Sequence, residues 1–480
     1  MIYLDHAAAT PLHPKALEAM LPYFTTDFFN PSAAYLPAKR VREAYEAAKD
    51  QIAHAIGAKG VDLVMTAGAT ESINLAFTAI KYLLTHQSPS STKSATNSQT
   101  ISQPSSEPFK ALVLATEHTS VLAAAASYPH SLIKVDHTGL IDLADFRAQL
   151  TDDVVFVSIA LANNELGTIQ PFAEIAEIIR ETRQKRLQQG NTTPLYLHTD
   201  ASQALSLIDI NVARLGVDLL TLNAAKCGGP KGVGALYVGH NVKLSPISAG
   251  GGQERGLRGG TENVPGAIGF AVAITEAKKH LTSNRKKYQK MANILRQNFS
   301  QILLDLSSNS TKTPAPNQSS APHISIIAHL DEKVNTFYAK PVFLGNPKHQ
   351  LVNFIPVSFP GLDAERLIYK LEAEGILVST GAACAANKGT KSHVLSAIGL
   401  SDAEIAGSLR ISLGSTNTEA QIKTASGIIT STIAEEYRRC FARGSGAAAR
   451  LSASALQRQA LTTRPEKNSA DTPKYGGDNA

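Results

Sequence analysis

"PLYLHTDASQALSLIDINVARLGVDLLTLNAAKCGGPKGVGALYV", residues 194–238, contains three short apolar runs, each followed by polar or glycine-rich chain. "PLYLHTD" closes on Asp200, "VDLLTLN" runs into Lys226, and "GALYV" follows. Runs of this length and composition read as strands buried on both faces. Upstream, "VDLVMT" (61–66) precedes a helical pattern from about Thr70, and "ALVLAT" (111–116) precedes one near His118. "VVFVSIAL" (154–161) precedes the helical "FAEIAEIIRETRQKRL" (172–187). This alternation predicts an α/β fold: a mainly parallel sheet with helices on both faces. Ligands of such sheets bind at the carboxyl ends of the strands, where the polar residues of this chain fall.

The chain has 480 residues, 43% hydrophobic and 18% charged, which suits a globular protein of two domains. The amphipathic "GAIGFAVAITEAKKHL" (266–281) links the sheet unit to a second α/β unit. The expected division is an N-terminal segment 1–14, a large domain 15–275, a small C-terminal domain 276–440 and a basic, disordered tail 441–480. Segments 86–108 and 307–322 are rich in Ser, Thr and Pro and read as flexible surface insertions. No apolar run nears the roughly 20 residues of a membrane span, and the N-terminus lacks a basic region that would read as a signal peptide. Cys227, Cys384 and Cys440 form no C-x-x-C pair, which fits free thiols in the cytoplasm. Of the net charge of +6, the tail from Arg438 carries eight Lys/Arg against three Asp/Glu, or +5. The folded body is near neutral, so no direct nucleic-acid binding is expected and a basic nucleic-acid binder rests on the tail alone.

Several chemistries fail on spacing. "CGGPKGVG" places glycine after its lysine and is no Walker A loop. There is no G-x-G-x-x-G, no metal-ligand spacing among the 14 histidines, and no G-x-S-x-G elbow. What remains is Lys226 at a strand end among suitable polar groups. In "TAGATES", Gly68 permits a tight turn, and Ala69 and Thr70 open a helix whose free N–H groups suit an anion; a plain Thr cap is the alternative. His118 begins the next helix, Asn164 sits in "ANNELG" as a candidate or a turn residue, and Asp200 ends a buried strand. Lysine for an aldehyde, an anion site, a carboxylate for a pyridinium nitrogen and a flat partner for a ring are together what pyridoxal 5'-phosphate requires.

The motifs "TAGATES", "TEHTSV", "VSIALANNELGTIQP", "HTDASQALS", "GPKGVGALYV", "GGGQERGLRGGT", "VSTGAACAA" and "SLRISLG" resemble, in order, those of the cysteine desulfurases of the class V aminotransferase group. The resemblance runs from "IYLDHAAATP" to about residue 435. It implies the fold type I of pyridoxal-phosphate enzymes, with a mainly parallel seven-stranded sheet in the large domain and a smaller α/β C-terminal domain. It further implies that Lys226 anchors the cofactor and serves as base, Asp200 faces the pyridine nitrogen, and His118 stacks on the ring and assists proton transfers. Gln203 contacts the ring hydroxyl, Asn164 lies near cofactor and substrate, and Ala69 and Thr70 hold the phosphate. Thr261 matches a residue that reaches the phosphate of the other subunit, which implies a homodimer. Arg410 grips the substrate carboxylate, and Cys384, in the loop-like "STGAACAANKGTKSH", carries the persulfide.

L-cysteine as substrate, sulfur-acceptor or iron–sulfur scaffold proteins as partners, and iron–sulfur cluster assembly or tRNA thiolation as destination follow from the same resemblance. The chain departs from it at Asn223 and Ala225, where the family pattern S-x-H-K has serine and histidine, and at Leu36, where histidine is common. Asn223 replaces part of the serine's hydrogen bonding; Ala225 cannot replace an imidazole. An aminotransferase or selenocysteine lyase, sharing Lys226 and Asp200 without depending on Cys384, and a non-catalytic relative are the rival readings.

Overall fold

The computed structural model describes residues 1–86, 109–300, 302, 341–380 and 391–442. Apart from His86, which closes a helix, the 86–108 insertion lies outside the described residues, as do 307–322, Cys384 and the tail from 443. The strands in chain order are β1 (Ile2–Tyr3), β2 (Leu63–Thr66), β3 (Lys110–Leu114), β4 (His130–Ile133), β5 (Val154–Ser158), β6 (Tyr196–Asp200) and β7 (Leu219–Asn223). They continue with β8 (Gly234–Val238), β9 (Val342–Phe343), β10 (Phe354–Ser358), β11 (Ile376–Leu377), β12 (Ser379–Thr380) and β13 (Ser408–Ser412).

The central sheet has seven strands in the order β2-β8-β7-β6-β5-β3-β4. It is parallel except for β8, which runs against both its neighbours. Apart from the largely exposed edge strand β4, its strands are buried on both faces, and successive side chains feed two separate apolar layers. Ala111 and Val113 join Val64 on one side; Leu112 and Leu114 join Leu63 and Met65 on the other. The helix Ala69–His86 lays Ile73, Ala76, Phe77, Ile80 and Leu83 on the first layer, the spacing of one helical face. Leu36–His54, Phe172–Gln188 and Val264–Lys279 cover the second. Parallel pairs require long crossovers, whereas the short link 224–233 between β7 and β8 forces an antiparallel return. That link carries Lys226 and leaves it at the edge where β2, β3, β5, β6 and β7 all end.

His198, inside β6, fastens three of these strands. Its Nδ1 lies 2.9 Å from Ser158 Oγ of β5 and its Nε2 2.9 Å from Thr221 Oγ1 of β7. The imidazole is fully buried, which pushes its pKa down to about 3 and keeps it neutral.

A second, four-stranded antiparallel sheet has the order β12-β13-β10-β9. The N-terminus joins this unit: β1 pairs in parallel with β11, and Asp5 bridges to Ser412 at the end of β13. The helix Val264–Lys279 runs unbroken past residue 275, and Leu281–Ser300 follows it toward the second sheet.

At the working edge, Gly68 has φ +143°, a conformation that disfavours any side chain. Facing it, Gly234 begins β8, and a Cβ there would stand 2.7 Å from Gly68 Cα and 2.8 Å from Leu222 O. Gly234→Ala is therefore expected to lower stability by about 1–3 kcal/mol through overpacking against backbone. A fall in the urea midpoint with an unchanged slope checks it; an unchanged midpoint refutes the close approach.

Candidate active site

Five chain segments bring their polar ends together. After β2, Gly68 turns the chain into Ala69–His86, whose first-turn N–H groups have no carbonyl of their own helix to bond. Thr66 Oγ1 and Ser72 Oγ, 2.7 Å apart, brace this turn, and Ala67 N–H donates to Glu71 Oε2 at 2.5 Å. Thr70 is exposed at the helix start. After β3, His118 caps the helix Thr119–Ala125: its Nδ1 accepts from Ser120 N at 3.2 Å and lies 2.7 Å from Ser120 Oγ.

After β5, the turn in "ANNELG" is made by Asn163, whose Oδ1 accepts from Glu165 N and Leu166 N at 2.8 Å each. The turn reading thus belongs to Asn163, and Asn164 beside it presents its carbonyl to Arg410 Nη1 at 3.1 Å. β6 ends on Asp200, whose Oδ1 accepts from Ser202 N at 2.9 Å. After β7, Asn223 Oδ1 accepts from Ala225 N at 3.1 Å and starts the single turn that holds Lys226.

The N-terminal segment lies across these ends. Lys226 Nζ donates to Ala7 O at 2.8 Å and Ala8 O at 2.6 Å, and Gln203 Nε2 donates to Ala7 O at 3.0 Å. Thr10 N–H and Oγ1–H both bond Ala225 O, at 3.1 and 2.9 Å. Asp5 Oδ1 accepts from the buried Arg410 Nη2 at 2.7 Å. Cys227, adjacent to the lysine, is buried with its thiol pushed up to about 12, which makes it inert.

Electrostatics tie the groups into one site. Burial holds the His118 pKa below the usual histidine value; Asp200 opposes this, while Lys226 and His393 add to it. Glu117 is fully buried, and burial, with Asp200 nearby, raises its pKa to about 8. Its Oε1 accepts from Ala160 N, and its backbone carbonyl lies 2.8 Å from His393 Nε2. Glu165 is raised to about 7 by burial, against a 2.6 Å hydrogen bond from Ser392 and the charge of Arg410.

Lys226, Asp200, His118, Gln203, Asn164, Asn223 and Arg410 are thus assembled by the fold, with Ala69 and Thr70 at the helix start on the same edge. Thr261 is exposed at the far end of a loop in which Glu254 (φ +46°) and Arg255 (φ +63°) are left-handed without being glycine, a strained arrangement. Buried Glu254 is gripped there by Tyr45 (2.5 Å), Met65 N (2.7 Å) and Lys49 (3.2 Å). Arg258 joins this loop to the first turn of Ala69–His86 through Glu71 at 3.0 Å. A cavity of about 320 Å³ opens beside this loop, lined by Arg42, Lys49, Gln253, Arg255 and Glu262 rather than by Lys226.

Asp5, Glu117, Glu165, Ser392 and His393 were not singled out as site residues from the sequence. A carboxylate directly behind a buried strand, as Glu117 is in "TEHTSV", was the available signal for one of them.

The arrangement fits pyridoxal phosphate on its own geometry. A lysine amine and a carboxylate act on the same imidazole, and the open space at the Gly68 Cβ position leaves a cradle beside a helix start. Buried Thr199 Oγ1, Ser202 Oγ and Glu117 Oε2 have no hydrogen-bond partner among the described residues.

Comparison with known proteins gives the same answer: the family model for class V aminotransferases matches residues 2–338 and 317–424, and the chain belongs to that family. Within it the chain groups with the cysteine desulfurases, pyridoxal 5'-phosphate-dependent enzymes. It is 33% identical to the cysteine desulfurase IscS of Methanosarcina thermophila over 88% of this chain and 89% of that one. It is 34% identical to cysteine desulfurase IscS 1 of Archaeoglobus fulgidus over 88% and 94%. A solved NifS-like protein superposes with a TM-score of 0.71 at 26% identity, covering 90% of this chain and 98% of that one. A NifS-like protein from Rickettsia africae does so with a TM-score of 0.68 at 25% identity, covering 92% and 99%. Among the described residues no helix is long and apolar enough to cross a membrane.

Because the folded-state pKa of Glu117 lies above its ordinary 4.5, its protonated form favours folding at low pH. That contribution is complete below about 4.5 and is lost as pH rises through about 8. Urea midpoints of wild type and Glu117→Gln are expected to diverge between about pH 5 and about pH 9, wild type losing the more. Parallel pH profiles would refute a neutral Glu117.

Proposed function

We propose that the chain converts L-cysteine to L-alanine and holds the sulfur as a persulfide on Cys384. Acceptor or scaffold proteins in the cytoplasm then take it for iron–sulfur cluster assembly or tRNA thiolation. The observation that carries this reading is the meeting of Lys226, Asp200 and His118 at one sheet edge, with Arg410 brought from the second sheet to Asn164.

When bound, pyridoxal phosphate supplies an aldehyde for an amine and a ring that accepts negative charge from the substrate α-carbon. Lys226 Nζ is the amine that anchors it and, once released, the base that holds the α-proton. Asp200 would keep a proton on the ring nitrogen, Gln203 would meet the ring hydroxyl, and His118 would cover the ring. Ala69, Thr70 and the start of Ala69–His86 would hold the phosphate, with Asn223 bracing the lysine turn. Thr261 completes the phosphate site from a second copy in a homodimer, the strained and buried grip on Glu254 keeping its loop in place.

Arg410 takes the substrate carboxylate with its planar fork, and Asn164 lies beside it. Cys384, in the proposed small domain 276–440, attacks the substrate sulfur as thiolate. The carbon–sulfur bond breaks, its electron pair stays with the carbon skeleton, and protonation there yields alanine. Despite the departures at Asn223 and Ala225, Asn223 and Thr10 hold the lysine turn by hydrogen bonds, while the imidazole of the family pattern has no counterpart at Ala225.

Purified wild type with L-cysteine is expected to form alanine and a protein persulfide. Lys226→Ala abolishes both, and Cys384→Ser keeps the cofactor absorbance but loses the persulfide. Alanine formation unchanged in Cys384→Ser would favour another class V chemistry, and none from cofactor-loaded wild type would overturn the proposal. Arg410→Lys, which loses the bidentate fork, is expected to raise KM about 10- to 100-fold with a smaller effect on kcat.

A further inference from the structure

His118 caps a helix, and the cap decides what its ring can do. A backbone N–H can only donate, so the 3.2 Å bond from Ser120 N requires a lone pair on His118 Nδ1. The Ser120 hydroxyl, 2.7 Å from the same nitrogen, must then donate to it as well. The remaining ring proton belongs on Nε2.

The charged and titratable groups facing the ring come from each neighbouring segment: Asp200 at the end of β6, Lys226 after β7, and His393 at the start of its own short helix. Glu117 adjoins it in the chain, and its backbone carbonyl can only accept from His393 Nε2 at 2.8 Å, so that ring too carries its proton on Nε2. Burial, Lys226 and His393 all oppose a positive charge on His118, and Asp200 alone favours one.

Building on the desulfurase reading above, we infer that Ser120 is a positioning residue that fixes His118 as the neutral Nε2–H tautomer. The ring then offers one hydrogen-bond donor and a flat face, and proton transfer falls to Lys226 Nζ. A neutral imidazole can release its Nε2 proton only by gaining one at Nδ1, and two donors already occupy that nitrogen. This revises the expectation that His118 assists proton transfers.

The test is long-range ¹H–¹⁵N NMR of the holoenzyme labelled with ¹⁵N-histidine, with the His118 signal identified by its loss in His118→Gln. Wild type is expected to show the neutral Nε2–H pattern from about pH 6 to about pH 9. Ser120→Ala retains the backbone donor and keeps that pattern. Ser120→Pro removes both donors at the second position of the helix, a position where the chain already accepts Pro37 and Pro265 in other helices.

With Nδ1 released, the Ser120→Pro ring is expected to lose its fixed tautomer and to show an Nδ1–H signal beside the Nε2–H one. An Nδ1–H tautomer or an imidazolium in wild type through that range would overturn the inference. So would a Ser120→Pro spectrum that keeps the pure Nε2–H pattern of wild type. Absence of alanine formation by wild type defeats the desulfurase reading instead, and leaves the tautomer result standing.

Discussion

The seven-stranded sheet, its edge strand β4 aside, is buried on both faces, and that constraint governs the chemistry at the strand ends. A strand with no wet side can hold polar side chains only where they find partners or where the strand ends. His198 lies inside the sheet, where Ser158 and Thr221 meet both of its ring nitrogens. The remaining chemistry is displaced to the carboxyl ends, and parallel alignment brings those ends to one line. Gly68, His118, Asn164, Asp200 and Lys226 come from segments far apart in sequence and share a place because of the strand order.

The second unit and the N-terminus complete the line. Arg410 belongs to β13, yet its fork reaches the carbonyl of Asn164, and Asp5 holds it from the N-terminal segment. The same segment supplies carbonyls to Lys226 and Gln203, so five consecutive residues, from Asp5 to Ala9, lie between the large sheet and the small one. A charge-assisted, buried contact such as Asp5 to Arg410 favours one orientation of the guanidinium more than it favours stability. The lysine turn is held without the S-x-H-K serine and histidine, since Asn223 caps it and Thr10 bonds the Ala225 carbonyl twice, although no imidazole stands at position 225.

Charge around the edge is kept low by burial. Glu117 and Glu165 are pushed toward their neutral forms, and burial, with Lys226 and His393 and against Asp200, lowers the pKa of His118. Two cations, Lys226 and Arg410, therefore act beside Asp200 and Asp5 with little competition from other carboxylates. That balance suits an anionic substrate and a cofactor that carries its own phosphate.

The sequence by itself determined the α/β class, the alternation of elements, the strand-end positions of Lys226 and Asp200, and the family. Period and composition carry that information locally, and the motifs keep their order along the chain. It did not reveal Glu165, Asp5 or His393, because each looks like an ordinary surface residue until burial or a distant partner gives it a role, and it marked Glu117 only by its place directly behind a buried strand. It left Asn164 open between a site candidate and a turn residue; Asn163 makes the turn, a choice settled by which amide meets Thr116 and Glu165. Only the tertiary structure decided the reversed direction of β8, the reach of Arg410 across two sheets, and the cap on His118. Those depend on distances between segments that no local pattern encodes.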